Sequence, residues 1–260
     1  MNRTRGTWRM MMAELVVTIQ LQPSSPLLVQ APEERDDNEV VPVTCKVNGQ
    51  EVYYLPGGSM KGALRAHTEK VFYHLFPKKQ KQAAKENGCS YEKLDYVSQL
   101  FGHVQFRGRL TVDDAYFQNP TDEKRCHVAI DRFRGGSETG ALFVTKPLVS
   151  GTALTTIRLK NPELWQIAWL CLLLRDWQAG DITIGAKAAS GYGRLEVLVS
   201  SLDLHMYSKE LEEQWKGLGV FEHATLSGDL YSIYHFSDVQ SLAVRVMPMW
   251  QRLLNGGEAS

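Results

Sequence analysis

The stretch PGGSMKGALR, Pro56–Arg65, follows the apolar segment Val52–Leu55 and begins an amphipathic pattern that Pro77 ends. Its glycines and serine therefore stand where an extended segment passes into a helix. The first N–H groups of a helix have no acceptor within the helix, and the helix dipole adds partial positive charge there. With Lys61 and Arg65 one turn apart, the junction is predicted to bind an anion such as phosphate. A tight turn explains the glycines equally well, but it leaves the two cations without a role.

A second glycine-rich segment, Gly185–Arg194, has a similar composition. Between its small residues it carries the cations Lys187 and Arg194 and the aromatic ring of Tyr192. A groove for a single-stranded nucleic-acid backbone needs this combination, because cations neutralise phosphates and a ring can stack on a base. Two such segments in one chain favour a phosphate-binding role over two unrelated turns.

A third stretch, DRFRGG at 131–136, places Arg132 and Arg134 on either side of an aromatic residue. None of the three stretches is a Walker A loop, which needs Gly-x-x-x-x-Gly-Lys followed by Ser or Thr. In the first stretch Lys61 precedes Gly62, and no hydroxyl residue follows. A nucleoside triphosphatase is therefore disfavoured.

Composition limits the partners and the cellular location that this protein can have. The 260 residues include 29 Lys and Arg and 29 Asp and Glu, so the formal net charge is zero and any nucleic-acid binding has to come from local patches. The basic run Lys78–Glu86 is better explained as a solvated helix face than as a nucleic-acid patch. Four scattered cysteines indicate a reduced cytoplasmic protein without a structural metal. The most apolar window, Leu164–Leu174, is too short to span a membrane.

Hydrophobic periodicity predicts a mixture of strands and helices. Apolar residues alternate over Glu14–Gln22, which is typical of a half-buried strand, and Asn48-Gly49 predicts a hairpin. A helix is predicted from an Asn161 N-cap to Gln178, and two amphipathic helices at Ser208–Leu218 and Asp238–Leu254. Further strands are predicted at Val104–Phe117 (interrupted at Gly108), His127–Arg132, Ala141–Val144, Ala153–Leu159 and Leu195–Val199, with an irregular segment at Gln118–Arg125. Neighbouring strands are mostly joined by turns, which favours the α+β class.

An ordered set of short motifs runs along the chain: PGGSMKGALR at 56–65, LFG at 100–102, RLTVDDA at 109–115, IDR at 130–132, GALF at 140–143, IGAK at 184–187 and GYGR at 191–194. This set resembles the RAMP superfamily, and within it the backbone subunit of type III CRISPR effector complexes. The match extends from the first strand to about Leu204.

The resemblance implies a ferredoxin-like palm, related to the RRM fold, with a protruding β-hairpin thumb. It implies one domain over residues 1–260, with a helical insertion at about 66–100, the thumb at about 118–136 and a helical C-terminal extension at about 205–260. Subunits of this kind stack along a guide CRISPR RNA, and each thumb displaces one guide nucleotide. The implied partners are guide CRISPR RNA, target RNA and other effector subunits, namely further backbone copies, a large subunit and a small subunit, with no membrane.

The resemblance also assigns residues to RNA binding. Ser59, Lys61 and Arg65 would contact guide phosphates, and Lys187, Tyr192 and Arg194 would do so from the second glycine-rich segment. Arg132 and Arg134 would belong to the thumb. The residue types agree with this role, because binding that is independent of base sequence depends on cations and small residues.

Many subunits of this family cleave the paired target RNA with a loop aspartate and a divalent metal. The aspartate lies two residues before a Pro-Val pair; here the pair is Pro42-Val43, and Val40 occupies the matching position. Asp36 and Asp37 lie slightly upstream and are the candidate catalytic residues and ligands for Mg²⁺ or Mn²⁺. A solvated acidic loop over Glu33–Glu39 explains these carboxylates at least equally well.

An alternative function in the same superfamily is a metal-independent endoribonuclease that processes CRISPR repeat RNA. That chemistry calls for a histidine-centred site, whereas His67, His103 and His127 share no spacing that suggests one. Each is interpreted as local structure or as an RNA contact. A subunit with a purely structural role would leave the cations of both glycine-rich segments unexplained.

Asp113 and Asp114 form a second pair of carboxylates, within one of the family motifs. Their position at a strand end favours a structural role, because Asp side chains commonly accept hydrogen bonds from nearby backbone N–H groups. We expect them to cap a turn or to pair with Arg109.

Overall fold

The computed structural model describes residues 10–30, 39–76, 91–130, 137–221, 225–227 and 230–255. The strands are β1 (Ala13–Pro23), β2 (Glu39–Val40), β3 (Thr44–Val47), β4 (Gln50–Leu55), β5 (Gly102–His103), β6 (Phe106–Arg107), β7 (Leu110–Val112), β8 (Ala115–Asp122), β9 (Arg125–Ile130), β10 (Ser137–Thr145), β11 (Leu148–Lys160), β12 (Leu195–Met206), β13 (Leu226–Ser227) and β14 (Ser232–His235). The helices are α1 (Gly57–Leu75), α2 (Tyr96–Phe101), α3 (Leu164–Gln178), α4 (Lys209–Gly217) and α5 (Val239–Leu254).

Strand β1 is the centre of the main sheet. Its alternate residues Ala13, Leu15, Val17, Ile19 and Leu21 are all fully buried, which confirms the period-two prediction. Antiparallel strands pair with it on both sides, β11 on one and β12 on the other. The described strands of this sheet follow the order β13-β14-β12-β1-β11-β8-β4-β3, and β7 also pairs with β11.

Six of these elements form the β-α-β-β-α-β pattern of a ferredoxin-like fold: β1, α1, β8, β11, α3 and β12. In the sheet their strands stand in the order β12-β1-β11-β8, and every pair is antiparallel. The α+β class is therefore confirmed. The predicted hairpin is also present, since β3 and β4 are joined at Asn48 and Gly49, which have the positive φ angles that a tight hairpin turn requires.

The helices pack on one another through aromatic side chains. The Phe72 ring on α1 meets the Trp169 ring of α3 edge-on with centroids 4.6 Å apart, and the Trp250 ring of α5 lies 5.3 Å from Phe72. The Trp169 indole N–H donates to the Thr68 hydroxyl at 3.0 Å, so α1 and α3 are joined by a buried hydrogen bond as well. No helix in the described part of the chain is long and apolar enough to cross a membrane.

The start of α3 differs from the prediction. Its N-cap is Glu163, not Asn161, and Glu163 and Gln166 form a capping box. Asn161 has a positive φ angle, and its side chain accepts the backbone N–H groups of Met12 and Ala13 at 2.7 and 3.3 Å. The residue that was expected to cap a helix thus joins the start of β1 to the end of β11.

Two predicted segments before residue 126 also differ. The predicted strand Val104–Phe117 is broken into several short strands, and the 88% exposed Val104 lies at the turn between β5 and β6. Gln118–Arg125, predicted to be irregular, is extended as far as Asp122, because β8 pairs with β11 up to the partners Asp122 and Leu148. Tertiary pairing here outweighs the polar composition of the segment.

A second antiparallel pair is formed by β9 and β10, with β2 pairing parallel to β10. The thumb at about 118–136 stays a prediction, because part of that range lies outside the described residues. The region after residue 205 contains the two predicted helices, but it also supplies β14, which extends the main sheet beside β12. The basic run Lys78–Glu86 lies outside the described residues.

Candidate nucleic-acid interface

The first glycine motif is held tightly against the sheet. A Cβ atom on Gly57 would lie 2.1 Å from the carbonyl oxygen of Val112, so only glycine allows α1 to begin this close to β7. The Gly57 N–H donates to the Asp114 carboxylate at 2.7 Å. The expected anion at the helix N-terminus is therefore, in part, a side chain of the protein itself. Asp113 forms an ion pair with Arg158, not with the predicted Arg109.

Removing the Asp114 carboxylate is expected to destabilise the fold by about 1 kcal/mol, the usual cost of losing a helix cap. Asp113 is a matched control, because it is the neighbouring carboxylate and its ion pair with Arg158 is largely exposed. Asp113→Ala should cost about 0.5 kcal/mol or less. Urea unfolding of both variants measures the difference, and equal losses would contradict the capping role.

The cations of the motif lie one and two turns further along α1. Arg65 donates from Nε to Glu69 at 3.0 Å and from Nη1 to the Gly102 carbonyl at 3.1 Å, which fixes its guanidinium beside β5. Lys61 is half-buried, and no carboxylate of the described residues lies within ion-pair distance of it. Burial lowers the pKa of Lys61, and the nearby charges of Arg65 and Arg107 lower it further. An anion placed among these side chains would relieve that repulsion.

The second glycine motif is anchored to the segment after β1. Gly185 has a φ of +88°, and a Cβ atom there would lie 2.4 Å from the Leu28 carbonyl oxygen. The next N–H, that of Ala186, donates to the same carbonyl at 2.8 Å, and the N–H of Gly193 donates to Pro26 at 2.9 Å. Close backbone contacts therefore explain why this loop contains glycine. The same contacts fix the backbone that carries Lys187.

Lys187 joins this loop to the β9–β10 hairpin. Its Nζ lies 4.2 Å from the ring centroid of Phe143, and the His127 ring stacks on Phe143 at 5.1 Å. The Nε2 atom of His127 is 3.0 Å from the Thr145 hydroxyl and 3.4 Å from that of Tyr192. Burial lowers the pKa of Lys187. Two residue sets far apart in sequence thus form one cationic cluster, which we call the hairpin-base cluster: Arg125, His127, Phe143, Lys187 and Tyr192.

His127 and Arg125 are the other two ionisable nitrogen groups of the hairpin-base cluster. The pKa of His127 is lowered by burial and, to a smaller extent, by the charges of Lys187 and Arg125, so the imidazole is neutral at pH 7. The Arg125 guanidinium lies 5.8 Å from the Tyr192 ring centroid and pairs with Glu123 at 2.8 Å. A phosphate at this position would meet one lysine and one arginine.

Tyr192 does not have the position expected of a stacking residue. Its side chain is only 4% exposed, and its ring lies beneath Arg125 and His127. The ring can support the cluster, but it offers no open face to a base. Arg194, by contrast, is exposed, and its N–H donates to the Ser25 hydroxyl at 2.9 Å.

The remaining predicted site residues are distributed as follows. Ser59 lies partly exposed in the first turn of α1, where its N–H donates to Pro56. Asp36, Asp37, Arg132 and Arg134 lie outside the described residues. Among the residues that are described, no group of three or more potential ligands could hold a metal ion. The roles given to the two aspartates, including Mg²⁺ or Mn²⁺ binding, stay predictions.

Two arginines near these cations, Arg107 and Arg125, were not picked out by the sequence, whereas His127 was already interpreted as local structure or as an RNA contact. Arg125 and His127 share one side of β9, two residues apart, and this alternation is the signal that could have linked them. Arg107 stands two residues before a family motif, and only the approach of β6 to α1 places its charge near Lys61.

The family model "RAMP superfamily" matches residues 35–196, more than half of the chain. A search among curated proteins finds no match. A solved structure described as "Type IV-B CRISPR Complex" has a TM-score of 0.55 and 17% sequence identity, and the likeness covers 71% of this chain and 90% of that chain. At this identity the likeness concerns the fold alone, which is the ferredoxin-like arrangement described above. On the family match, the chain belongs to the RAMP superfamily.

Proposed function

We propose that this protein is a guide-RNA-binding subunit of a multi-subunit CRISPR complex. One observation carries the proposal: each glycine motif holds a partly desolvated lysine, Lys61 near Arg65 and Arg107, and Lys187 in one cluster with Arg125. Holding like charges together costs free energy in the unliganded protein, and a polyanion removes that cost. The family membership and the fold shared with a chain of a CRISPR complex support the same proposal.

The experiment is purification of the subunit together with the proteins encoded beside it. We expect bound RNA of defined length and a stoichiometry that requires several copies of this chain. The sequence motifs resemble the backbone subunit of type III complexes, and the solved structure of similar fold comes from a type IV-B complex. The identity of the co-purifying subunits distinguishes the two types. A complex that contains no RNA would contradict the proposal.

Cleavage of target RNA is a separate part of the proposal. It rests on Asp36 and Asp37, which precede the Pro-Val pair at 42–43. Incubating the complex with complementary RNA and Mg²⁺ or Mn²⁺ tests it, with the Asp36→Ala/Asp37→Ala variant as comparison. Loss of cleavage with intact assembly supports the role, whereas cleavage at the wild-type rate removes both residues from the mechanism.

The pH dependence of RNA binding gives a prediction for the hairpin-base cluster. His127 has a lowered pKa without RNA, and a nearby phosphate would favour its protonated form. Lowering the pH from 8 to 6 is therefore expected to increase the affinity for single-stranded RNA by a few-fold, beyond the change in a His127→Gln variant. Titrations at constant ionic strength measure this. Parallel pH profiles for the two proteins would place the RNA away from His127.

One arrangement favours the alternative activity as a second candidate. The Nε2 atom of neutral His127 lies near the Tyr192 hydroxyl in the same cluster as Lys187. A neutral imidazole can accept a proton from an RNA 2′-hydroxyl, and an ammonium group can protonate the leaving oxygen. Incubating the subunit with CRISPR repeat RNA in EDTA tests this candidate. The absence of any product that depends on His127 would eliminate it.

A further inference from the structure

A short hairpin stands beside the first glycine motif. Strands β5 and β6 pair with each other, which leaves Val104 and Gln105 as the tip between them. The Gln105 N–H donates to the Nδ1 atom of His103 at 3.4 Å and closes this tip. We call residues 102–107 the β5–β6 hairpin.

The base of the β5–β6 hairpin is fixed by backbone contacts. Helix α2, which precedes it, is buried along all six of its residues. A Cβ atom on Gly102 would lie 2.8 Å from the Gly108 nitrogen, and one on Gly108 would lie 2.3 Å from the Phe101 carbonyl oxygen. Glycine at these two positions therefore lets the chain enter and leave the hairpin at the same point. The tip projects from a base that cannot shift without breaking these contacts.

Three cations lie at this base. The Arg65 guanidinium on α1 donates to the Gly102 carbonyl at 3.1 Å, and Arg107 stands opposite Gly102 in the strand pair. Lys61 lies one turn before Arg65, and the charges of Arg65 and Arg107 both act on it. The β5–β6 hairpin therefore rises from the part of the surface where a phosphate is proposed to bind.

The tip itself carries an apolar side chain. Val104 is 88% exposed, more than any other large hydrophobic residue in the described part of the chain. A single exposed aliphatic residue is common on protein surfaces and does not by itself indicate a partner. Here, however, a fixed backbone holds the residue next to a group of cations. A nucleic-acid strand presents the complementary pair of features, anionic phosphates and the apolar faces of its bases.

A single strand suits this surface better than a duplex or a protein partner. In a duplex the faces of the bases are covered by their neighbours, whereas an unpaired base can turn its face to a side chain. Lys61 is half-buried beside two arginines, so a partner has to bring concentrated negative charge. The consecutive phosphates of RNA supply that charge without a matched set of carboxylates.

We propose that Val104 lies against the face of an unpaired guide-RNA base whose neighbouring phosphate is bound by Lys61 and Arg107. This inference rests on the proposed function and adds a base contact to it. The contact does not select one base, because an aliphatic side chain makes no hydrogen bond and every base has an apolar face. Arg107 becomes a member of the phosphate site, although it precedes the RLTVDDA motif.

Two strands of equal charge separate the base contact from the phosphate contacts: an oligouridylate and an abasic strand of the same length. Val104→Ala in the full-length subunit is expected to weaken oligouridylate binding about threefold and to leave abasic binding unchanged, because it removes two apolar methyl groups. The slope of log affinity against log salt should stay the same in Val104→Ala and fall by about 0.7 in Arg107→Ala.

Each outcome of this comparison decides between the inference and its rivals. If the wild type binds oligouridylate and Val104→Ala binds it equally well, the base contact is wrong while the proposed function stands. Equal losses on both strands would show an indirect effect and also overturn the base contact. Unchanged RNA binding with poorer co-purification of the other subunits would assign Val104 to a protein interface. A wild type that binds neither strand contradicts the proposed function, and the inference with it.

A pair of matched substitutions tests the position of the tip. Val104→Asp places a carboxylate beside the bound phosphates and should weaken oligouridylate binding at least tenfold. Leu230→Asp is the control, because Leu230 is also aliphatic, is 83% exposed and lies between β13 and β14 at the opposite end of the main sheet from β3. Both variants change the net charge equally and keep exposed positions exposed, so their circular dichroism spectra should match that of the wild type. If Leu230→Asp weakens binding as much as Val104→Asp, the effect comes from net charge and the inference is wrong.

Discussion

Replacing Lys61 and Lys187 together by alanine is expected to weaken the binding of single-stranded RNA by about 100-fold at physiological salt. Each ammonium group is partly desolvated, and neither pairs with a carboxylate among the described residues. A hydrogen bond to a charged group contributes roughly 1.5 kcal/mol or more, or about tenfold per lysine. The two lysines stand on separate motifs, so their contributions should be nearly additive.

The salt dependence identifies the cause of this loss. Each phosphate contact contributes about 0.7 to the slope of log affinity against log salt concentration for a single strand, so the double variant should lose about 1.4 from that slope. Fluorescence anisotropy at several salt concentrations measures both quantities.

Lys93→Ala/Lys209→Ala is the matched control, because both lysines are exposed and belong to neither glycine motif. It should bind RNA almost as the wild type does. If the control pair weakens binding equally, the effect comes from net charge and not from a built site. An unchanged affinity in the Lys61/Lys187 variant would remove these two motifs from the RNA interface.

Replacing Gly57 by alanine is expected to destabilise the fold by about 3 kcal/mol. The new Cβ would lie 2.1 Å from the carbonyl oxygen of Val112 and 2.9 Å from its carbonyl carbon. Both are backbone atoms, so no change of rotamer relieves the clash, and α1 has to move away from β7. The movement would also disturb the Gly57–Asp114 hydrogen bond.

Gly62 is the matched control on the same helix, because nothing lies within 4 Å of a Cβ atom placed there. Gly62→Ala should stabilise the protein by about 0.5 to 1 kcal/mol, the difference in helix propensity between the two residues. Urea unfolding of both variants gives the comparison. Effects of the same sign would show that the close approach of α1 to β7 is not what requires glycine at position 57.

Local sequence patterns predicted much of the fold because they depend on neighbouring residues. The alternation in β1, the Asn48-Gly49 turn and the two C-terminal helices all follow from periodicity and from turn chemistry. The same reasoning was wrong at Asn161 and over Gln118–Arg125. In both places a partner more than 25 residues away in the chain decides the conformation, through the hydrogen bonds of Asn161 to Met12 and the pairing of β8 with β11.

For the candidate site, composition identified the two glycine motifs and their lysines. The contacts that these motifs make with residues distant in the sequence changed the roles assigned to them. Asp114 is 57 positions from Gly57, yet it takes the N–H that was expected to face a phosphate. Tyr192 was expected to offer a stacking face, and its burial beneath Arg125 removes that face. His127 shares β9 with Arg125, and only the approach of the glycine loop to the β9–β10 hairpin adds the charge of Lys187 beside it.

By itself, then, the sequence determined where the helices and the central strand lie, the class of the fold, the family motifs and the cations of the two glycine loops. The tertiary structure alone decided which of those groups act together. It joined the second loop to the hairpin and placed a carboxylate at the start of α1. The reason is physical: periodicity and turn residues act over a few positions of the chain, whereas burial, hydrogen bonding and charge act between whatever residues the sheet brings into contact.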